Sequence, residues 1–264
     1  MADLWGMGEV GTTLAAWLLG SVLMNVLATN AVWFIEGSNF RGRPYRRWLW
    51  EVARFLYFVA IPYLVLGGWP QGPNRGLLFL GDLGIVGLDA AWPVTRWLRA
   101  AGMGLGWGLT VLLFLLVSWV NVNRHAGNLR LAFPHESWWY VLLEVLYLQI
   151  HWAFYRGALT VVLGDMYAGT FVGLGLIYLE WSLNPFWRQG WREQPIAAVR
   201  WMRAAIALAS AVAFVLYRNL WICLLIHGAL ELSLRQLDRE HRWRTSSDAP
   251  RRGNSLPPQA AEST

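Results

Sequence analysis

Long apolar blocks recur along the chain, and each is close to the length that crosses the hydrocarbon core of a membrane. An α-helix rises ~1.5 Å per residue, so roughly 20 residues span ~30 Å of hydrocarbon. Hydrophobic residues make up 56% of the 264 residues and charged residues only 14%, whereas soluble domains carry about 25% charged residues. The blocks lie at about 10–35, 48–68, 98–120, 138–164, 166–186, 196–216 and 220–234. This pattern predicts an all-α, polytopic membrane helix bundle of about seven transmembrane helices.

The arrangement of polar segments predicts one domain followed by a tail. Residues 1–235 are assigned to the helical domain, and residues 236–264 to a polar cytoplasmic tail, whose first turns could continue the last helix and whose end is expected to be disordered. The apolar piece at 77–88 is too short to span, so it is expected to be interfacial or re-entrant. The last block, 220–234, is also short and is expected to lie inside the bundle.

Basic residues mark the sides of the membrane and limit the choice of partners. All the basic side chains other than His are Arg, and the net charge is +6. Arginines are concentrated in the loops after the first, third and fifth blocks and in the tail, which predicts an outside N-terminus and a cytoplasmic C-terminus. The expected location is the cell membrane, and the expected partners are the lipid bilayer and a membrane-associated peptide or protein. Arginines in loops between apolar blocks do not form one soluble basic face, so nucleic-acid binding is not predicted.

The fourth block is apolar enough to cross a membrane, yet it contains Glu144, His151 and Arg156. Charged side chains cost about 2.5–3.5 kcal/mol at the bilayer centre, so they usually face a protein interior or a water-filled cavity. Glu144, Tyr147, His151 and Tyr155 share one face of a helix. Arg156 is expected to hold a carboxylate, and Glu144 is a candidate partner that could instead reach the membrane interface.

Two other blocks add polar side chains at helical spacing. Cys223, His227 and Glu231 are four residues apart and therefore line one face, as do Glu180 and Asn184. A His and a carboxylate one turn apart can pair, share a metal, or act on a water as base and orienting group. An interior hydrogen bond is the plainer interpretation of each His, and Asn184 before Pro185 is also typical of a helix end.

The sequence does not indicate a cofactor. Two His and two Glu could form a Zn or Fe site, but the spacing is not His-Glu-x-x-His, and no metal is predicted. No nucleotide-binding loop or serine elbow is present, and the single cysteine, Cys223, excludes an intrachain disulfide.

At these residues the chain resembles the CPBP family, the intramembrane peptidases that include CAAX prenyl proteases and bacteriocin-immunity proteins. The stretch LYRNLWICLLIHGALEL is similar to the third family motif, with His227 at the motif His and Glu231 at its Asn. HWAFYRG keeps Arg156 and the glycine of the first motif, Glu-Glu-x-x-x-Arg-Gly, but has His151 and Trp152 where the two Glu belong. The second motif, Phe-x-x-x-His, is not found, although Glu180 or Asn184 stands roughly where it is expected. The resemblance covers about 137–234.

The resemblance implies an intramembrane endopeptidase in which the first Glu activates a water and the His residues stabilise the oxyanion. Because that Glu is replaced, His151 would act as base together with Glu231 or Glu180. A fold kept only for binding a partner, as in immunity-type proteins, is the alternative, and transport or metal handling is a further one. The candidate catalytic residues are His151, His227, Glu231 and Glu180, and the candidate binding residues are Arg156, Glu144 and Asn184.

Overall fold

The computed structural model describes residues 9–36, 45–67, 92–126 and 137–252, and all the regular structure in these ranges is helical. The helices are α1 (Glu9–Glu36), α2 (Tyr45–Phe55), a π-helix (Leu56–Ala60), α3 (Ile61–Leu66), α4 (Val94–Ala126), α5 (Trp138–Leu163), α6 (Met166–Leu183), α7 (Pro185–Gln189), a 3₁₀ turn (Gly190–Arg192), α8 (Gln194–Tyr217) and α9 (Leu220–Arg252). The expected re-entrant piece at 77–88 and the end of the expected tail lie outside the described residues.

Each of the seven apolar blocks corresponds to helical structure, and five of the helical segments are long and apolar enough to cross a membrane. They are Gly11–Phe34, Trp48–Leu66, Val94–Asn121, Ile196–Tyr217 and Leu220–Glu240. The long helices α5 and α6 are not among them, because aromatic and polar side chains lower their mean hydropathy. The described part is therefore an all-helical bundle with five candidate membrane spans.

The last helix continues beyond residue 235, where the polar tail was expected to begin. Helix α9 runs to Arg252, and Arg235 and Asp238 are buried. Its polar part is supported by bonds one helical turn apart, from Arg235 to Glu231 and from Gln236 to Glu240. A change from apolar to polar composition therefore does not end this helix, because its polar side chains bond along it.

Helix α5 lies at the centre of the described bundle. It contacts α1, α6, α9, the π-helix and α3, and twelve of its 26 residues are buried. One apolar cluster joins α1, α5 and α6, and a second joins α4, α8 and α9. The polar residues of α5 therefore meet side chains from several surrounding helices.

Helices α5 and α6 form a tight hairpin. Gly164 ends α5 with a positive φ of 66°, and the Asp165 side chain caps α6 by accepting from the Ala168 N–H at 2.6 Å. Gly169 lies so close to α5 that a Cβ there would be 2.5 Å from the Thr160 backbone nitrogen. The absence of a side chain at Gly169 is what lets the two helices approach at this depth.

Candidate functional site

The polar residues of α5 belong to two separate groups. The first, called the tyrosine cluster, consists of Ser21, Tyr57, His151, Tyr155 and Glu180. The second, called the cavity cluster, consists of Glu144, Gln149, Arg203, His227, Glu231 and Arg235. His151 and Gln149 are two residues apart on one helix, but their hydrogen bonds go to different neighbours.

Glu180 of α6 is the acceptor at the centre of the tyrosine cluster. The hydroxyls of Tyr57 and Tyr155 both donate to Glu180 Oε1, and Nε2 of His151 lies 3.3 Å from Glu180 Oε2. Ser21 of α1 contacts the Tyr155 hydroxyl at 3.3 Å. The side chain of Glu180 is only 4% exposed, so these donors replace the water that a carboxylate would otherwise need.

The π-helix supplies one of these donors. Tyr57 is its second residue, and π-helical turns occur frequently at functional sites. The rings of Tyr57, Phe58 and Tyr155 surround the His151 imidazole, with centroid separations of 4.8, 5.1 and 4.4 Å. Nδ1 of His151 is buried and has no hydrogen-bond partner within the described ranges.

The cavity cluster contains two carboxylates and two guanidinium groups. Arg235 binds Glu231 most closely, with Nε and Nη2 at 3.1 and 3.0 Å from Oε1. Arg203 of α8 lies 3.4 Å from Glu144 and 3.5 Å from Glu231, and Arg235 lies 3.6 Å from Glu144. The two positive and two negative groups balance, which lowers the cost of removing them from water.

His227 of α9 is held in a defined orientation beside these charges. The amide nitrogen of Gln149 donates to Ser210 Oγ at 2.8 Å and contacts His227 Nδ1 at 2.9 Å. With the Gln149 amide nitrogen on this side, Nδ1 is the acceptor and the hydrogen of a neutral ring lies on Nε2, while Oε1 of Gln149 has no partner among the described residues. The Trp152 ring stacks on the imidazole at 5.1 Å with an angle of 3° between the planes.

These residues surround a cavity of about 60 Å³. Its lining residues are Glu144, Val145, Leu148, Trp152, Trp181, Trp187, Arg203, His227 and Glu231. A water needs roughly 10–15 Å³ measured in this way and two to four polar partners. The cavity is therefore large and polar enough for a few waters beside His227 and the two carboxylates.

Among the described residues Arg156 holds no carboxylate, contrary to the sequence expectation. Its guanidinium lies 4.5 Å from the centroid of the Phe214 ring, and its Nε and Nη2 have no hydrogen-bond partner in the part of the chain that the structure describes. The expected partner, Glu144, neither contacts Arg156 nor stands alone at an interface, because it binds Arg203 and Arg235. The rotation of each helix about its own axis decides these pairings, and the spacing of residues along one helix does not reveal that rotation.

Asn184 is a helix cap in this structure. Its side-chain oxygen accepts from the backbone N–H groups of Phe186 and Trp187 at 2.9 and 3.3 Å, at the start of α7. It does not line the cavity. The geometry therefore supports the simpler interpretation of Asn184 before Pro185 and gives no contact that would indicate ligand binding.

The sequence correctly placed Cys223, His227 and Glu231 on one buried helical face, and of the two carboxylates that it offered as partners of His151, the structure pairs His151 with Glu180 and not with Glu231. His151 meets Glu180, whereas Glu231 binds Arg203 and Arg235. His151 and Glu231 therefore do not form the pair considered above. Glu144 and His151 share a face of α5 but are about 10 Å apart along its axis, since seven residues rise ~1.5 Å each.

Several residues of both clusters were missed, and one had a readable signal. Arg235 is four residues after Glu231, so it continues the spacing of Cys223, His227 and Glu231 by one more turn. Arg203, Tyr57 and Gln149 carried no pattern of their own. Their roles depend on which helices become neighbours.

Within the described ranges no group of three or more His, Cys, Asp or Glu side chains is arranged to hold a metal ion. In comparisons with known proteins, no family model, no curated protein and no solved structure matches this chain.

Proposed function

We propose that this chain is a membrane-embedded endopeptidase of CPBP type, with an altered active site, that cleaves a membrane-associated peptide or protein. The observation that carries the proposal is the cavity of about 60 Å³ lined by His227, Glu231, Glu144 and Arg203 within the helix bundle. Peptide hydrolysis needs a water, a group that takes its proton and a donor for the developing oxyanion. The cavity offers space for the water and side chains for both roles.

Glu231 is the proposed base. Its Oε1 accepts from Arg235 and lies 3.5 Å from Arg203, whereas Oε2 has no partner among the described side chains. A water bound to Oε2 would lose a proton to it as the water oxygen attacks the peptide carbonyl carbon. Arg235 fixes the carboxylate through two bonds, as its planar guanidinium allows.

His227 is the proposed donor to the oxyanion. Because Nδ1 accepts from Gln149, the hydrogen on Nε2 is free to bond the negative oxygen of the tetrahedral intermediate. Collapse of this intermediate breaks the carbon–nitrogen bond, and the proton held by Glu231 passes to the leaving amine. The products are a carboxylate and an amine, as for any peptide hydrolysis.

His151 and Glu180 enter the proposal as a positioning pair and not as the base. They bond to each other and to two tyrosines, and neither lines the cavity. Their bond fixes α5 against α6, and these two helices supply the cavity residues Trp152 and Trp181. The pair therefore sets the shape of the cavity without contacting the substrate.

We further propose seven spans in the cell membrane, with the N-terminus outside and the C-terminus in the cytoplasm. In this arrangement α5 and α6 are the two inner spans, sheltered by the five apolar segments. Helix α6 has 18 residues and is ~27 Å long at ~1.5 Å per residue, close to the ~30 Å hydrocarbon core. Reporters fused at both ends should report opposite sides of the membrane, and the same side at both ends would reject the seven-span count.

A partner-binding protein without catalysis is the second candidate. Trp152, which stands where the resembling motif has its second Glu, stacks flat on His227 and fills space beside the cavity. A site from which a carboxylate has been lost and an aromatic ring gained is typical of a fold retained for binding. This candidate predicts a stable complex with a membrane protein and no turnover.

Cleavage of membrane-anchored peptides by purified protein in liposomes distinguishes the two candidates. Glu231→Gln should lower kcat by at least ~100-fold, since a positioned base contributes about 10²–10⁴-fold. Glu51→Gln is the matched control, because Glu51, like Glu231, is paired with an arginine, Arg54, at 3.5 Å. Glu51 also accepts from the Tyr140 hydroxyl at 2.8 Å, and it does not line the cavity. Equal cleavage by both variants would reject Glu231 as the base, and a parent protein that cleaves no peptide would reject the endopeptidase.

A further inference from the structure

The tryptophans around the cavity form a row of ring contacts, in which Trp181 and Trp187 are stacked and the other two contacts are edge-to-face. Trp152 contacts Trp181 with centroids 6.3 Å apart, and Trp181 stacks on Trp187 at 4.5 Å. Trp187 in turn lies 6.4 Å from Trp191, which is outside the cavity lining. Three large rings from α5, α6 and α7 thus form an aromatic wall of the cavity, and the first of them, Trp152, stacks directly on His227.

This wall is held in place from behind. Arg200 of α8 lies 5.1 Å from the centroid of the Trp187 ring, and its Nη2 donates to the Phe186 carbonyl at 2.7 Å. Trp181 is also packed against Tyr178, with centroids 5.7 Å apart. Rings fixed on several sides cannot move aside cheaply, because packed interiors resist changes in volume.

The size of the remaining space limits what can enter. A cavity of on the order of 150 Å³ holds a benzene molecule, whereas this cavity measures about 60 Å³. It therefore has room for a methyl or hydroxymethyl group beside the reacting peptide bond, and not for a ring.

We infer that Trp181 and Trp187 make the site selective for substrates with a small side chain, such as Ala, Ser or Gly, on the residue that supplies the scissile carbonyl. This inference rests on the proposed endopeptidase activity and names its substrate class. With Glu231 Oε2 and His227 Nε2 facing the carbonyl, the side chain on its acyl side meets the tryptophan wall. The apolar rings favour a small uncharged group there, since the cavity already contains balanced charges.

The test compares two membrane-anchored peptides that differ only in having Ala or Phe at this position. Parent protein in liposomes should cleave the Ala peptide at least ~10-fold faster in kcat/KM, the lower end of what a pocket can discriminate by size. Trp187→Ala and Trp181→Leu should both raise cleavage of the Phe peptide by ~10-fold or more. Trp191→Ala, which removes the next ring of the row without opening the cavity, should keep the parent's preference.

The outcomes separate this inference from the function on which it rests. A parent that cleaves both peptides equally, or wall variants that keep the preference for Ala, would overturn the inference and leave the endopeptidase standing. Loss of cleavage of both peptides in both wall variants would also overturn it, because the wall should be dispensable for the chemistry. A parent that cleaves neither peptide, nor any other, would overturn both proposals.

Discussion

The contact between α5 and α6 yields a quantitative prediction about one glycine. In Gly169→Ala the new Cβ would lie 2.5 Å from the backbone nitrogen and Oγ1 of Thr160 and 2.6 Å from its Cα, where ordinary contacts are 3.4–4 Å. The obstacle is partly backbone, so the helices must separate by roughly 1 Å. Overpacking of this kind costs about 1–3 kcal/mol, and a rigid backbone obstacle favours the upper end.

Gly175→Ala is the matched control. It makes the same substitution on the same helix, where a Cβ meets nothing within 4 Å. Both variants gain the same helix propensity of about 1 kcal/mol, so their difference in the free energy of unfolding reports the overpacking alone. At roughly 2–4 °C per kcal/mol for a chain of this size, Gly169→Ala should melt ~6–12 °C below Gly175→Ala.

The assay is thermal unfolding of purified protein in one detergent, followed by a thiol probe of the buried Cys223. The melting temperature of Gly173→Ala should fall between those of the other two variants, because a Cβ there would be 3.3 Å from the backbone nitrogen of Arg156. If Gly169→Ala and Gly175→Ala melt within ~1 °C of each other, α5 and α6 do not approach as closely as described, and the predicted overpacking is refuted.

Two further predictions concern buried arginines. Arg235→Ala should lower the free energy of unfolding by about 3–5 kcal/mol in denaturant unfolding, because it leaves the buried Glu231 with a weaker partner. Arg54→Ala, at a partly exposed pair, should cost less than about 1 kcal/mol. Equal effects of the two variants would contradict the burial of the cavity cluster. Arg156→Met should leave the melting temperature unchanged or raise it. The reason is that the Arg156 guanidinium over Phe214 has given up hydration without gaining a carboxylate among the described residues. A fall in melting temperature of more than ~5 °C would show that Arg156 has an ionic partner.

The sequence predicted the helical elements well because membrane-spanning length and apolar composition are local properties. It also placed His227 and Glu231 on one buried face, since a spacing of four fixes the direction of side chains on a helix. It failed for Arg156, whose partner depends on the rotation of α8 and α9 around α5. It also failed for Arg203, which lies well inside α8, because the sequence alone does not show which side chains of neighbouring helices an arginine will meet.

The two-residue connection between α5 and α6 has a consequence for how the chain enters the membrane during synthesis. A helix that carried Glu180 alone into the lipid would bear the insertion cost of a charged residue, about 2.5–3.5 kcal/mol. Two of the three partners that relieve this cost, His151 and Tyr155, are on the preceding helix, and the third, Tyr57, lies earlier still in the chain. A turn at Gly164 and Asp165 brings α5 and α6 together as soon as both are made. For the proposed seven-span arrangement we therefore expect the translocon to release α5 and α6 into the bilayer as one helical hairpin, with the carboxylate of Glu180 already bonded.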